Sequence, residues 1–133
     1  IDNLARFVNS KTIVYTTDQN EHGANYENLK LIPKALKEAK NIDGKRFNII
    51  PLPIPNSIKH KNSYLPANYA NFYIGNSSVL VPAFNDPNDE IAKNILKSCF
   101  PNRKTTLIDS RILIRGQGGV HCITQQQPAH SFI

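Results

Sequence analysis

A chain of 133 residues with 40% apolar side chains can bury one core and is too short for two ordinary domains. Its net charge of +6, from 16 Lys and Arg against 10 Asp and Glu, is spread without a block of like charge, the basic residues running from Arg6 to Arg115. That is a solvated surface, and no basic helix, zinc-ligand spacing or aromatic-plus-basic strand argues for nucleic acid. No apolar run reaches the ~20 residues of a membrane helix and no leader pattern opens the chain, so no membrane partner is expected and the expected location is cytoplasmic.

In chain order, Leu4 to Thr16 predicts two short strands around a polar break at Asn9 and Ser10, a hairpin signal. Leu29, Ile32, Leu36 and Ala39 then fall at helical spacing, with Pro33 either starting or kinking the helix. A strand follows at Phe47 to Leu52, and Pro51, Pro53 and Pro55 predict an extended, rigid exit from it. Phe72 to Phe84 repeats the hairpin, with Tyr73 to Leu80 lying over Phe7 to Val14. This echo predicts repeated modules. In the second, Asp86 is the expected N-cap, Pro87 suits the first helical position, and Asp89 and Glu90 favour the positive end of the dipole. The predicted apolar stripe is Ile91, Ala92, Ile95, Leu96 and Cys99, which makes Cys99 a small core residue. Strands are predicted again at Thr105 to Ile108 and Arg111 to Ile114. The unit is strand, strand, helix, strand, repeated in modules 1–55 and 64–115 with a loop at 116–128.

Two cysteines in different contexts make a poor staple for a chain of this size, so thiols in a reducing compartment are expected. The chemistry concentrates in Gly116, Gln117, Gly118, Gly119, Val120, His121, Cys122, Ile123, Thr124, Gln125, Gln126, Gln127 and Pro128. Three glycines in four residues allow positive φ and close backbone approach, as an anion or oxyanion site requires. Cys122, three residues later, is a candidate nucleophile on a tight loop. Gly118 and Gly119 either present backbone amides to a substrate or simply permit the turn. No second Cys or His cluster at ligand spacing supports a metal site at His121 and Cys122. His22, His60 and His130 lie in polar stretches and are expected to face solvent.

That glycine-rich run into His-Cys-Ile-Thr-Gln-Gln resembles the end of agmatine deiminases in the Porphyromonas-type peptidylarginine deiminase family. Tyr69 to Pro82, with Asn71, Phe72 and Tyr73, looks like the family's strand before its last helix, and Phe100-Pro101 like the turn after it. Ile1 to Phe7 looks like the family's His-x-Asp motif from the x onward, with the histidine expected just before Ile1. The likeness covers nearly the whole chain. It implies the C-terminal part of a single catalytic domain with an α/β (α+β) fold, a five-bladed pentein propeller of ββαβ modules.

The implied activity is hydrolysis of agmatine to N-carbamoylputrescine and ammonia, in putrescine biosynthesis, through a thiouronium intermediate on Cys122. Asp2 would bind the guanidinium, a bidentate match of two oxygens to two N–H groups. Gly118 and Gly119 are the further substrate-binding candidates. No cofactor or metal is implied, and a homodimer is compatible with the likeness. His121 is not expected to be the acid and base, because neighbours in an extended segment point to opposite faces and the resemblance gives that role to the His-x-Asp histidine. A 133-residue chain without that histidine is expected to be inactive alone. The alternatives are a peptidylarginine deiminase or other guanidine hydrolase, an inactive fragment or interaction module, and a basic binding protein.

Overall fold

In the computed structural model, which describes residues 3–127, the β-formers on either side of Asn9 and Ser10 make strands β1 (Ala5–Asn9) and β2 (Thr12–Thr17), paired antiparallel. The Asn9 side chain accepts the Lys11 backbone N–H at 2.9 Å and closes the turn. A register shift between Phe7 and Asn9 makes a bulge in which Val8 is buried while Phe7 stays exposed.

The chain crosses over through α1 (Tyr26–Leu29) and α2 (Ile32–Glu38) and returns as β3 (Asn48–Pro53), parallel to β2. The single helix predicted here is therefore broken, and Pro33 falls in the first turn of the second piece, where its missing N–H costs no intrahelical bond. Leu29 alone of the predicted stripe is buried. Pro51 and Pro53 belong to β3 instead of leaving it. The Asn48 and Ile54 N–H groups donate to the carbonyls of Lys11, just before β2, and Thr17, at its end, at 2.9 and 3.1 Å, so even-numbered positions of β3 face β2. Both prolines thus put their missing donor on the outer edge of the sheet, where it interrupts no ladder.

A small hairpin of β4 (Lys59–His60) and β5 (Ser63–Tyr64) follows, turning through Lys61 at φ 55°, a feature without a clear signal in the sequence. Then β6 (Tyr73–Ile74), β7 (Ser78–Ala83), α3 (Asn88–Cys99) and β8 (Lys104–Asp109) repeat the first arrangement, antiparallel and then parallel. β7 lies 66 residues beyond β2 (78 against 12), but β8 only 56 beyond β3 (104 against 48). The parallel ladders keep their length, and the difference is taken up in the crossover, where one 12-residue helix replaces two short ones.

α3 begins with Pro87 in the N-cap position, one residue after the Asp86 expected there. Asp86 still accepts the Asn88 N–H at 2.8 Å, and it accepts the backbone and side-chain N–H of Asn56 at 2.9 and 2.7 Å. Asp89 does more than complement a dipole: it is buried, takes the Tyr69 hydroxyl at 2.7 Å and accepts the N–H groups of Phe84 and Asp86 at 3.0 and 3.1 Å. Burial first, and then this carboxylate, push the Tyr69 hydroxyl well above the ordinary tyrosine range. Ala92 and Leu96 are fully buried and Ile95 and Cys99 pack against the core, whereas Ile91 turns out to solvent. Burial raises the Cys99 thiol, opposed in part by its hydrogen bond with Ser98.

The strand predicted at Arg111 to Ile114 is instead a turn running into a 3₁₀ helix, Leu113–Gly116. Local side-chain bonds end the ladder. Asp109 accepts the Arg111 backbone N–H at 3.1 Å and its guanidinium at 2.9 and 2.7 Å, and the Ile114 N–H reaches the Ser110 carbonyl at 3.0 Å. The Arg111 side-chain and backbone bonds hold the Asp109 carboxyl down to about 2.

One core serves both three-stranded sheets: Val14 and Leu52 come from the first, Phe72, Val79, Val81 and Leu96 from the second and its helix, and Ile114 from the 3₁₀ turn. Arg6 ties the sheets together. Its Nη1 donates to the carbonyls of Ala70 and Phe72 at 3.0 and 2.9 Å, and its guanidinium lies 4.6 Å from the Phe72 ring centroid. The residue it grips, Phe72, is its own counterpart 66 positions on.

Candidate active site

Cys122 is presented by a sequence of short turns. Ile114, fully buried, anchors the first 3₁₀ helix, and Gln117 at φ 64°, ψ 17° ends it and redirects the chain. The left-handed residue is thus Gln117, and the glycines around it do not have positive φ. Gly119 and Val120 are buried, and a second 3₁₀ turn, His121–Ile123, carries Cys122 to the surface with its side chain exposed. Thr124 closes that turn, its N–H and hydroxyl both donating to the His121 carbonyl at 3.0 and 2.7 Å.

Under this turn lies Asn71, only 2% exposed, just before β6. Its Oδ1 accepts the His121 backbone N–H at 2.8 Å, and its Nδ2 donates to the Cys122 sulfur at 3.2 Å and to Asn3 Oδ1 at 3.0 Å. The Asn3 carbonyl in turn accepts the Thr16 hydroxyl and the Asn68 amide, each at 2.8 Å. A chain of polar contacts therefore runs from β2, through Asn3 and Asn71, to the thiol.

The glycines acquire distinct roles. A Cβ on Gly119 would come within 2.8 Å of Asn71 Cγ and closer still to Oδ1, so this residue is what lets the buried amide approach. A Cβ on Gly118 would stand 3.1 Å from Cys122 Cβ, while one on Gly116 would meet nothing within 4 Å.

His121 and Cys122 are not in an extended segment, so the alternation used to separate them does not apply; 3₁₀ geometry turns successive side chains by about 120°. His121 is half-buried, His22 exposed, and His60 half-buried in β4 instead of facing solvent. Asp2 and His130 lie outside the described residues. Among the described residues no three His, Cys, Asp or Glu are grouped to hold a metal, and no helix is long and apolar enough to cross a membrane. Asn71 belongs to the stretch that resembles a family strand, but nothing local to it in the sequence marks a contact 51 residues away.

Residues 1–128 match the family model for Porphyromonas-type peptidyl-arginine deiminase. The chain belongs to this deiminase family. A Streptomyces coelicolor protein named "Putative agmatine deiminase" is 35% identical over 129 residues, which are 96% of this chain and 38% of the relative. The chain thus spans well under half the length of the deiminases it matches. Its structure superposes on a Porphyromonas gingivalis protein described as a "Putative Arginine Deiminase" with a TM-score of 0.92 at 38% identity, over 96% of this chain and 38% of that one. It also superposes on C. jejuni agmatine deiminase, solved as a cysteine-to-serine variant with substrate bound, with a TM-score of 0.82 at 34% identity, over 90% of this chain and 34% of that one. The mixed α and β architecture is therefore that of deiminase structures.

Proposed function

We propose that this chain is the C-terminal part of an agmatine deiminase catalytic domain and that Cys122 is its nucleophile. The observation that carries the reading is Cys122, an exposed residue on a tight turn whose sulfur is held at 3.2 Å by a buried amide, within a chain of the deiminase family. The names of the relatives favour agmatine, and the C. jejuni structure, with substrate in a cysteine variant, favours a cysteine at the reacting centre.

In this reading the Cys122 thiolate forms a bond to the guanidinium carbon, and the C–N bond to one amino group breaks as that nitrogen takes a proton and leaves as ammonia. Water then attacks the S-alkylthiouronium carbon, loses its protons to the base, and expels the thiolate. The sum is guanidinium plus water giving a carbamoyl group and ammonium, with no redox change. The proton transfers fall to a His-x-Asp histidine of the kind the resemblance implies, and Asp2 holds the cation. Gly118 and Gly119 would present backbone amides to the substrate. Two cysteines in different contexts are a poor staple for a chain of this size, and a reducing, cytoplasmic setting is part of this reading.

The test is ammonia release by the longest natural polypeptide that carries this chain, with agmatine, free arginine and a C-terminal arginyl peptide as substrates. Agmatine is expected to be the fastest, the 133-residue chain alone to be inactive, and Cys122→Ala to abolish turnover with the fold retained. Normal turnover by that variant would sink the assignment. Because the family description names peptidyl-arginine, the second reading is a peptidylarginine deiminase, and faster reaction of the arginyl peptide would favour it.

A further inference from the structure

We infer that Asn71 positions the Cys122 sulfur for attack, and that it does so through its amide nitrogen and not merely by bracing the loop. The inference rests on Cys122 being the nucleophile, as proposed above. Four observations support it. The amide orientation follows from the whole bond pattern: Oδ1 takes the His121 N–H at 2.8 Å alongside the Asn71 carbonyl at 3.1 Å, and the sulfur lies nearer Nδ2, at 3.2 Å, than Oδ1, at 3.6 Å. The two N–H bonds of that group are both directed, one to Cys122 Sγ at 3.2 Å and one to Asn3 Oδ1 at 3.0 Å, which fixes the amide plane. Asn71 is 2% exposed and cannot swing into solvent, and Gly119 is bare where the amide passes. Cys122 is an exposed residue, and its sulfur is held from beneath by this buried amide.

An N–H donor on sulfur does two things. It selects one direction for the side chain, and it favours the anionic, attacking form over the thiol. Neither effect requires contact between Asn71 and substrate, so Asn71 is a positioning residue and its loss should fall on kcat more than on KM.

Asn71→Asp separates the two jobs. The variant keeps the shape and the acceptor for the His121 N–H but replaces the NH₂ donor by a carboxylate oxygen. Asn71→Ala removes both groups and adds no charge. In the full-length protein, kcat and KM for agmatine, the melting temperature, and the iodoacetamide alkylation rate of the Cys122 peptide by mass spectrometry are compared with the parent. Asn71→Asp buries a carboxylate and is expected to melt below the parent, and where it folds to keep KM within about threefold. Its kcat should fall about 10- to 100-fold, the range of a lost hydrogen bond to a charged group. Alkylation of Cys122 should slow at least about fivefold in both variants.

Parental kcat and alkylation in either folded variant would overturn the inference and leave Asn71 as a loop brace. If Asn71→Asp does not fold, folded Asn71→Ala decides by the same criteria. If the parent hydrolyses no guanidine at all, the proposed function fails, whereas the alkylation comparison still decides whether Asn71 controls the thiol.

Discussion

Around Cys122 the deciding contacts are those of the Asn71 amide and of the glycine that leaves room for it. Gly119→Ala must displace the Asn71 amide, because its Cβ would overlap Asn71 Cγ at 2.8 Å. A loss of about 1–3 kcal/mol in stability, the usual cost of overpacking, is expected in urea denaturation, together with slower alkylation of Cys122. Gly116→Ala, with nothing within 4 Å and an ordinary φ, should stay within about 0.5 kcal/mol of the parent. Equal effects of the two substitutions would remove the packing role assigned to Gly119. The sequence made the loop conspicuous but could not rank its glycines. Ranking depends on Asn71, about 50 positions away, and the backward turn was made by Gln117, which composition does not single out.

At the scale of elements, the entry to α3 is a buried clamp of Tyr69 on Asp89. Tyr69 is kept neutral by burial and by the carboxylate, so its folded pKa lies above the unfolded value of about 10. The stabilisation is complete below pH ~10 and is lost as the pH rises beyond it, because the unfolded chain releases a proton that the folded one retains. Alkaline titration followed by circular dichroism should show stability falling above pH ~10 by up to about 1.4 kcal/mol per pH unit from this group. Tyr69→Phe should flatten that slope while costing about 1–2 kcal/mol at neutral pH, since Asp89 loses a donor. An unchanged alkaline slope would show that Tyr69 does not limit it. The helix and the β6–β7 hairpin of the second module were legible because Asp86, Pro87 and the alternating residues of Phe72 to Phe84 carry local signals. The clamp was not, because Asp89 looks like any acidic residue in a first turn until Tyr69 packs beside it. The turn at Arg111 was missed for a related reason: Ile112 and Ile114 alternate like a strand, and only the Asp109 side-chain bonds break the pattern.

For the whole molecule, the connection between the repeats rests heavily on Arg6. Arg6→Ala should lose two charge-assisted bonds and the contact with the Phe72 ring, about 2–4 kcal/mol by urea denaturation, while Arg6→Lys should recover at most about half. A loss below about 0.5 kcal/mol would mean that the shared core alone joins the sheets. The repeat was visible in the sequence as an echo between Phe7 to Val14 and Tyr73 to Leu80, but the partner that spans it was not, since an arginine at a strand position ordinarily faces water.

The outer side of β3 has a further consequence. A stray strand arriving there would meet carbonyls at Ile49, Pro51 and Pro53 but a single amide, from Ile49. Two of the bonds that make β-sheet templating favourable, about 1 kcal/mol each, cannot form. The edge can therefore stand bare without seeding aggregation, protected by what its backbone lacks.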